Sequence, residues 1–232
     1  MQSWTEIKKI ENPTEEQQLE AVKLNWYAIS LIQNPTENAQ KAAFEQNVQA
    51  ILYVNGGPCA ALVESFNSMD DESFGKAIAA EPNLLKFVNR PELLRAAIRA
   101  DWKIIRKIDN ASDELWAEAV RQNMDAFKLV RHPGEATLVA AIEHDWQIIQ
   151  DVERPSVKML VAAVKQDYHA YECLSIKCRT EEMQLAAVRA DWRCIELVSR
   201  PSENVQMEAV KQNKVALRFI KNPAESVVAY CN

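Results

Sequence analysis

The sequence predicts an all-α solenoid of about nine 22-residue helix pairs. Three observations predict it. An alanine followed by a bulky apolar residue recurs at Ala21, Ala43, Ala77, Ala97, Ala119, Ala141, Ala163, Ala187 and Ala209, with successive spacings of 22, 34, 20, 22, 22, 22, 24 and 22. Self-similarity at such a period marks stacked repeats, each too small to bury its apolar face alone. The 232 residues include only 4 glycines, where about 16 is usual, which argues against hairpin-rich, P-loop and dinucleotide folds. A hydrophobic content of 48% is enough for a core.

The first unit, residues 12–33, is the guide. Pro13 ends what precedes it, because the residue before a proline is pushed out of the α region. Thr14 is an N-cap with Gln17 completing a capping box. Its column continues with Thr36, Asp70, Ser112, Gly134, Ser156, Thr180 and Ser202. Helix A then runs to about Leu24. Asn25 caps helix B, in a column with Asn47, Glu81, Asp101, Asn123, Asp145, Asp167, Asp191 and Asn213. Helix B runs from Trp26 to about Gln33. Its apolar stripe is Ile29, Ile51, Leu85, Ile105, Phe127, Ile149, Tyr171, Ile195 and Leu217, with Ile32, Val54, Val88, Ile108, Val130, Val152, Leu174, Val198 and Ile220 three residues on.

These columns divide the chain into an N-terminal cap (1–11), repeats 1 and 2 (12–55), an irregular insertion (56–67), repeats 3–9 (68–221) and a C-terminal half-repeat cap (222–232), all in one continuous domain. The insertion holds a helix-A-like piece, Cys59 to Phe66, with no helix B. Charge shifts after it. Residues 1–89 carry 6 Lys/Arg against 12 Asp/Glu, and residues 90–232 carry 21 of each, so the net charge of −6 lies wholly in the first part. A second irregularity, Ser175 to Arg179, adds two residues.

The recurrent string resembles a family of short helical repeats of unknown function, found in large phages, giant viruses and bacterial effector-like proteins. The family string is A-V-x-x-N-G-x-A-L/I, often followed by K-N-P-[ST]-E. Here Ala209-Val210-Lys211-Gln212-Asn213-Lys214-Val215-Ala216-Leu217, then Lys221-Asn222-Pro223, match it. The resemblance covers about residues 12–232. The family glycine is replaced by Trp26, Val48, Pro82, Trp102, Met124, Trp146, Tyr168, Trp192 and Lys214. The resemblance implies no catalytic residues. It implies a non-catalytic protein-binding chain of phage or viral origin, an inhibitor or adaptor that sequesters a host protein, with a defence system among the target classes.

The residues themselves offer two candidate binding elements. One is the irregular stretch, represented by Gly56, Gly57, Phe66, Asp70, Asp71 and Glu72, because insertions in solenoids map to one face. Its alternative is a neutral spacer. The other is a basic ridge, Lys23, Arg99, Arg121, Lys165, Arg189 and Lys211, interrupted by Glu45, Ala79 and Glu143. A ridge could meet an acidic protein face or track phosphates. Its alternative is a solvated face with local pairs such as Glu20 with Lys23, Glu118 with Arg121 and Glu208 with Lys211. The Trp/Tyr column at helix B starts is expected to pack over repeat junctions.

No H-E-x-x-H, G-x-S-x-G or C-x-x-C occurs, so no enzyme, metal or cofactor is expected. The Asp residues before Trp read as caps. A zinc site from Cys173, Cys178, Cys194 and His169 has no standard spacing. The five scattered cysteines read as reduced thiols. The opening Met1 to Glu6 lacks the basic and apolar regions of a signal peptide, and no run of 18 apolar residues exists. A cytoplasmic protein is expected (host cytoplasm if viral), with another protein as partner and no membrane. The rivals are a nucleic-acid-binding solenoid and a homo-oligomeric scaffold.

Overall fold

A computed structural model of the chain describes residues 3–232; Met1 and Gln2, assigned to the N-terminal cap, lie outside them. The fold is an all-α solenoid of helix pairs, without a strand among the described residues. The chain divides into two compact units, Met1–Ala111 and Ser112–Asn232.

In the first unit the elements are η1 (Trp4–Lys9), α1 (Glu15–Leu24), η2 (Trp26–Leu31), α2 (Glu37–Gln46), η3 (Val48–Tyr53), α3 (Ala60–Asn67), α4 (Asp71–Ala80), η4 (Pro82–Phe87), α5 (Leu93–Ala100) and η5 (Trp102–Lys107), where η is a 3-10 helix. In the second they are α6 (Asp113–Gln122), η6 (Met124–Leu129), α7 (Glu135–His144), η7 (Trp146–Asp151), α8 (Val157–Val164), η8 (Tyr168–Cys173), η9 (Ile176–Cys178), α9 (Glu181–Ala190), η10 (Trp192–Glu196), α10 (Glu203–Gln212), η11 (Lys214–Phe219) and α11 (Glu225–Cys231). The nine expected pairs are all present.

Helix A forms where its caps place it. Seven of its eight N-cap column members accept the backbone N–H three residues on, and Thr14 with Gln17 makes the full capping box. Helix B differs from expectation: it is a short 3-10 helix that ends near Leu31, before Gln33. The cause is local. All nine residues of the Asn/Asp/Glu column accept the backbone N–H two residues on. That tight turn starts i→i+3 bonding at once, as in Ala28 N–H to Asn25 O at 3.0 Å. At three residues per turn, residues i and i+3 eclipse, so Trp26, Ile29 and Ile32 share one face. The Asp residues before Trp are thereby accounted for as caps.

A further buried column is less obvious in the sequence. In eight of the nine repeats the third residue of the 3-10 helix, Ala28, Ala50, Leu84, Ile104, Ala126, Ala170, Cys194 or Ala216, is buried, and Ile148 of the ninth is half-buried. Cys194 takes an alanine's place there, and burial pushes its thiol up to about 12.

Polar side chains bind neighbouring repeats at both ends of helix A. Buried Gln18 donates from Nε2 to the carbonyls of Pro13 (3.0 Å) and Asn34 (3.4 Å) and accepts from Thr36 N–H (2.8 Å). Gln206 repeats the arrangement with Pro201, Asn222 and Ala224. At the other end, Gln46 and Gln212 donate to the carbonyls of Val22 and Val188 at 2.8 and 2.7 Å. His144 stands in that column with Nε2 2.8 Å from Val120 O, so its Nε2 carries the proton.

The insertion is part of the core. Gly56 and Gly57 turn the chain with φ of 79° and 91°, a region glycine enters without strain. Gln40 Oε1 then accepts Cys59 N–H at 2.8 Å, which seats α3 where the next helix A would stand. Leu62 and Phe66 are fully buried, and the Phe66 ring lies 5.1 Å from that of Phe74. Asn67, also buried, donates to Val63 O and Phe87 O and accepts Asn89 N–H. No 3-10 helix separates α3 from α4, as expected.

Candidate docking groove between α4 and α5

Two joints pack their α-helices more extensively than the rest: α4 on α5, and α6 on α7. Each contains a glycine against which its neighbour packs closely. A Cβ on Gly75 would lie 2.7 Å from the Ala96 carbonyl oxygen. Other repeats place Leu19, Leu185 or Met207 in that column. A Cβ on Gly134 would lie 2.5 Å from the Asp113 carboxylate. Asp113 occupies the space a capping side chain would fill and accepts from the N–H groups of Gly134 (3.0 Å) and Ala136 (2.7 Å) and from the Thr137 hydroxyl (2.5 Å). Burial pushes the Asp113 carboxyl up, and these hydrogen bonds together hold it below its usual range. At Gly134 a side chain would displace the Asp113 carboxylate from this set of hydrogen bonds.

At the α4/α5 joint the small residues also leave the outer face unfilled. A groove of about 570 Å³ runs between the two helices, walled by Gly75, Ala79, Ala96 and Ala100, with Asp71, Glu72, Lys76 and Arg99 around it. Three sequence candidates, Asp71, Glu72 and Arg99, thus come together. Ala79 is one of the three interruptions of the basic ridge, and the groove opens there. Lys76 bonds Glu72 at 2.5 Å, and this hydrogen bond raises the ammonium's pKa. The groove carries charges of both signs over an apolar strip. It can seat a partner's apolar side chains and orient the partner by charge.

The remaining candidates lie elsewhere. Phe66 is a core residue and presents no surface to a partner. Asp70 caps α4, and the N–H of Ser73 at 2.9 Å holds its carboxyl below the usual range. Gly56 and Gly57 form the turn before α3. Lys23 is exposed on α1. In the second unit, Arg121, Lys165, Arg189 and Lys211 are exposed, but Arg121 pairs with Glu143 at 3.1 Å and Arg189 with Glu208 at 3.5 Å. The charge pairing there runs between repeats: Glu208 meets Arg189, where the sequence suggested Lys211.

Trp26 packs on Tyr53 with ring centroids 5.8 Å apart, and Trp192 on Phe219 at 6.1 Å, each joining successive 3-10 helices as expected of junction residues. His169 is exposed and 3.1 Å from Glu172, whereas Cys194 is buried. Among the described residues no group of three or more His, Cys, Asp or Glu side chains is placed to hold a metal ion. No described helix is long and apolar enough to cross a membrane.

No family model, curated protein or solved structure matches the chain. What the groove can do follows from its own residues. Its floor signal was present in the sequence as Gly75 and Ala79 followed by Ala96 and Ala100, small residues four apart on consecutive helices. Only the pairing of those helices turns the signal into a groove.

Proposed function

We propose that the chain is a non-catalytic protein-binding repeat protein, and that a partner docks in the α4/α5 groove. The observation that carries this is the apolar strip of Gly75, Ala79, Ala96 and Ala100 edged by Asp71, Glu72 and Arg99. Its volume lies in the range of binding sites, roughly 300–1,000 Å³. Engagement of Asp101, Asp145, Asp167 and Asp191 as backbone caps supports the non-catalytic reading. Pairing of Arg121 and Arg189 with glutamates weakens a phosphate-tracking ridge. The family resemblance supports a phage or viral inhibitor or adaptor that sequesters a host protein, and the matching localisation is the host cytoplasm.

The test is affinity capture from host lysate with the wild type and an Ala79→Arg variant side by side. Ala79 is half-buried at the groove surface, so the arginine blocks the strip while the fold, checked by circular dichroism, stays intact. A stoichiometric partner held by the wild type and lost by the variant is expected. Equal recovery by both, or no stoichiometric partner, overturns the proposal.

A further inference from the structure

We propose that the cleft between η4 and η5 binds an amphipathic carboxylate: an apolar acyl chain that ends in a carboxylate. This site is separate from the α4/α5 groove and independent of what docks there. The cleft encloses about 660 Å³ and is lined by residues from both 3-10 helices, the loops that follow them and Leu94 of α5.

The cleft lies at a junction that no aromatic pair covers. At two junctions the first residue of a 3-10 helix and the last residue of the next form a pair. Trp26 with Tyr53 and Trp192 with Phe219 cover their junctions with tilted ring pairs. At η4/η5 the same two positions hold Pro82 and Lys107. A small ring and a flexible ammonium cannot close the space, and η4 and η5 make far less contact than η2 and η3 do.

The core columns are part-exposed at this cleft. Ile29, Ile32, Ile51 and Val54 are buried. Their counterparts Leu85, Val88 and Ile108 are only half-buried and, with Leu94, wall the cleft. Water therefore meets apolar surface that the repeat is designed to cover, and an alkyl chain placed there would remove it.

The polar lining sets the ligand's charge. Lys86 on η4 and Lys107 on η5 are both exposed at the cleft, and neither forms an ion pair among the described residues. Lys86 Nζ lies 4.9 Å from the Phe87 ring, which leaves its donors available. Asp109 is the one carboxylate in the lining. Two cations against one anion, one cation from each helix, favour a single negative charge at the end of an apolar chain.

The experiment titrates the isotope-labelled chain with octanoate and follows methyl resonances by NMR. Saturable shifts at Leu85, Val88, Leu94 and Ile108 are expected. A Lys86→Glu/Lys107→Glu double variant, altered only at exposed positions, is expected to bind octanoate roughly tenfold more weakly. Pro82→Trp restores the aromatic that other repeats carry at this position and is expected to abolish the shifts. Should Pro82→Trp fail to fold by circular dichroism, the lysine variant alone carries the test. No saturable shift, shifts centred on other methyls, unchanged affinity in the lysine variant, or equal binding of octylammonium overturns the proposal.

Discussion

Two joints of the N-terminal unit, α1/α2 and α4/α5, arise from the same repeat and hold their helices by opposite means. At α1/α2 the buried amide of Gln18 ties three loop groups together, and Trp26 covers the next 3-10 junction by packing on Tyr53. At α4/α5 the glutamine column holds Phe74, which is buried against Phe66 of the insertion. Gly75 lets the backbone of α5 come close, and Pro82 with Lys107 leaves the 3-10 layer open. One joint is closed on both layers. The other is tight on the α layer and open on the 3-10 layer. A solenoid thus gains distinctive surfaces by changing a few column residues while its alanines stay fixed; at this joint α5 also lacks a side-chain cap.

The strongest way to break this comparison is to remove the residue on which the second joint rests. Phe66→Ala empties a fully buried site and is expected to cost about 3–5 kcal/mol, read from urea denaturation. A cost below about 1 kcal/mol would return the insertion to the status of a surface spacer.

A smaller effect separates the two means of holding. Gly75→Ala places a methyl against backbone oxygen and is expected to cost about 1–3 kcal/mol by overpacking. Gln18→Ala leaves Pro13 O, Asn34 O and Thr36 N–H without their partner, at about 1–3 kcal/mol. The signatures differ: faster hydrogen exchange at Thr36 belongs to the glutamine variant alone. Identical exchange in both variants would mean that Gln18 does not act as a staple.

The smallest effect concerns the second tight joint, α6/α7. Asp113 has a lowered pKa in the fold, so its contribution is fully present above the ordinary Asp value of about 3.9 and is lost as pH falls through the lowered native value. Asp113→Asn is expected to cost about 1 kcal/mol at neutral pH. The difference from wild type should shrink as pH drops below about 4, measured by thermal denaturation across pH. A difference that is constant down to pH 2 would show that the charge of the carboxylate is irrelevant to the joint.

Much of this was legible in the residue columns. The Thr/Ser/Asp and Asn/Asp columns announce two caps per repeat because capping is local chemistry, settled within two or three residues. The absence of a helix B after α3 was legible too, from the 34-residue gap. The 3-10 form of helix B was hidden, since apolar residues three apart fit both helix types. The groove was half visible: Asp71, Glu72 and Arg99 stood out by charge, whereas Gly75, Ala79, Ala96 and Ala100 looked like ordinary helix formers. Phe66 reads from the sequence as part of a binding element, although an aromatic in an apolar helix-A register also fits the core it occupies.

The sequence by itself determined the repeat, its register and its caps, because each of these depends on residues close together in the chain. Only the tertiary structure decided which joints close and which stay open. That outcome depends on pairs from different repeats, such as Gly75 with Ala96, Asp113 with Gly134, and Pro82 with Lys107. A glycine matters there through the atom that approaches it, and a proline through the ring that is missing opposite. Neither fact belongs to one residue, so neither could be read from one column.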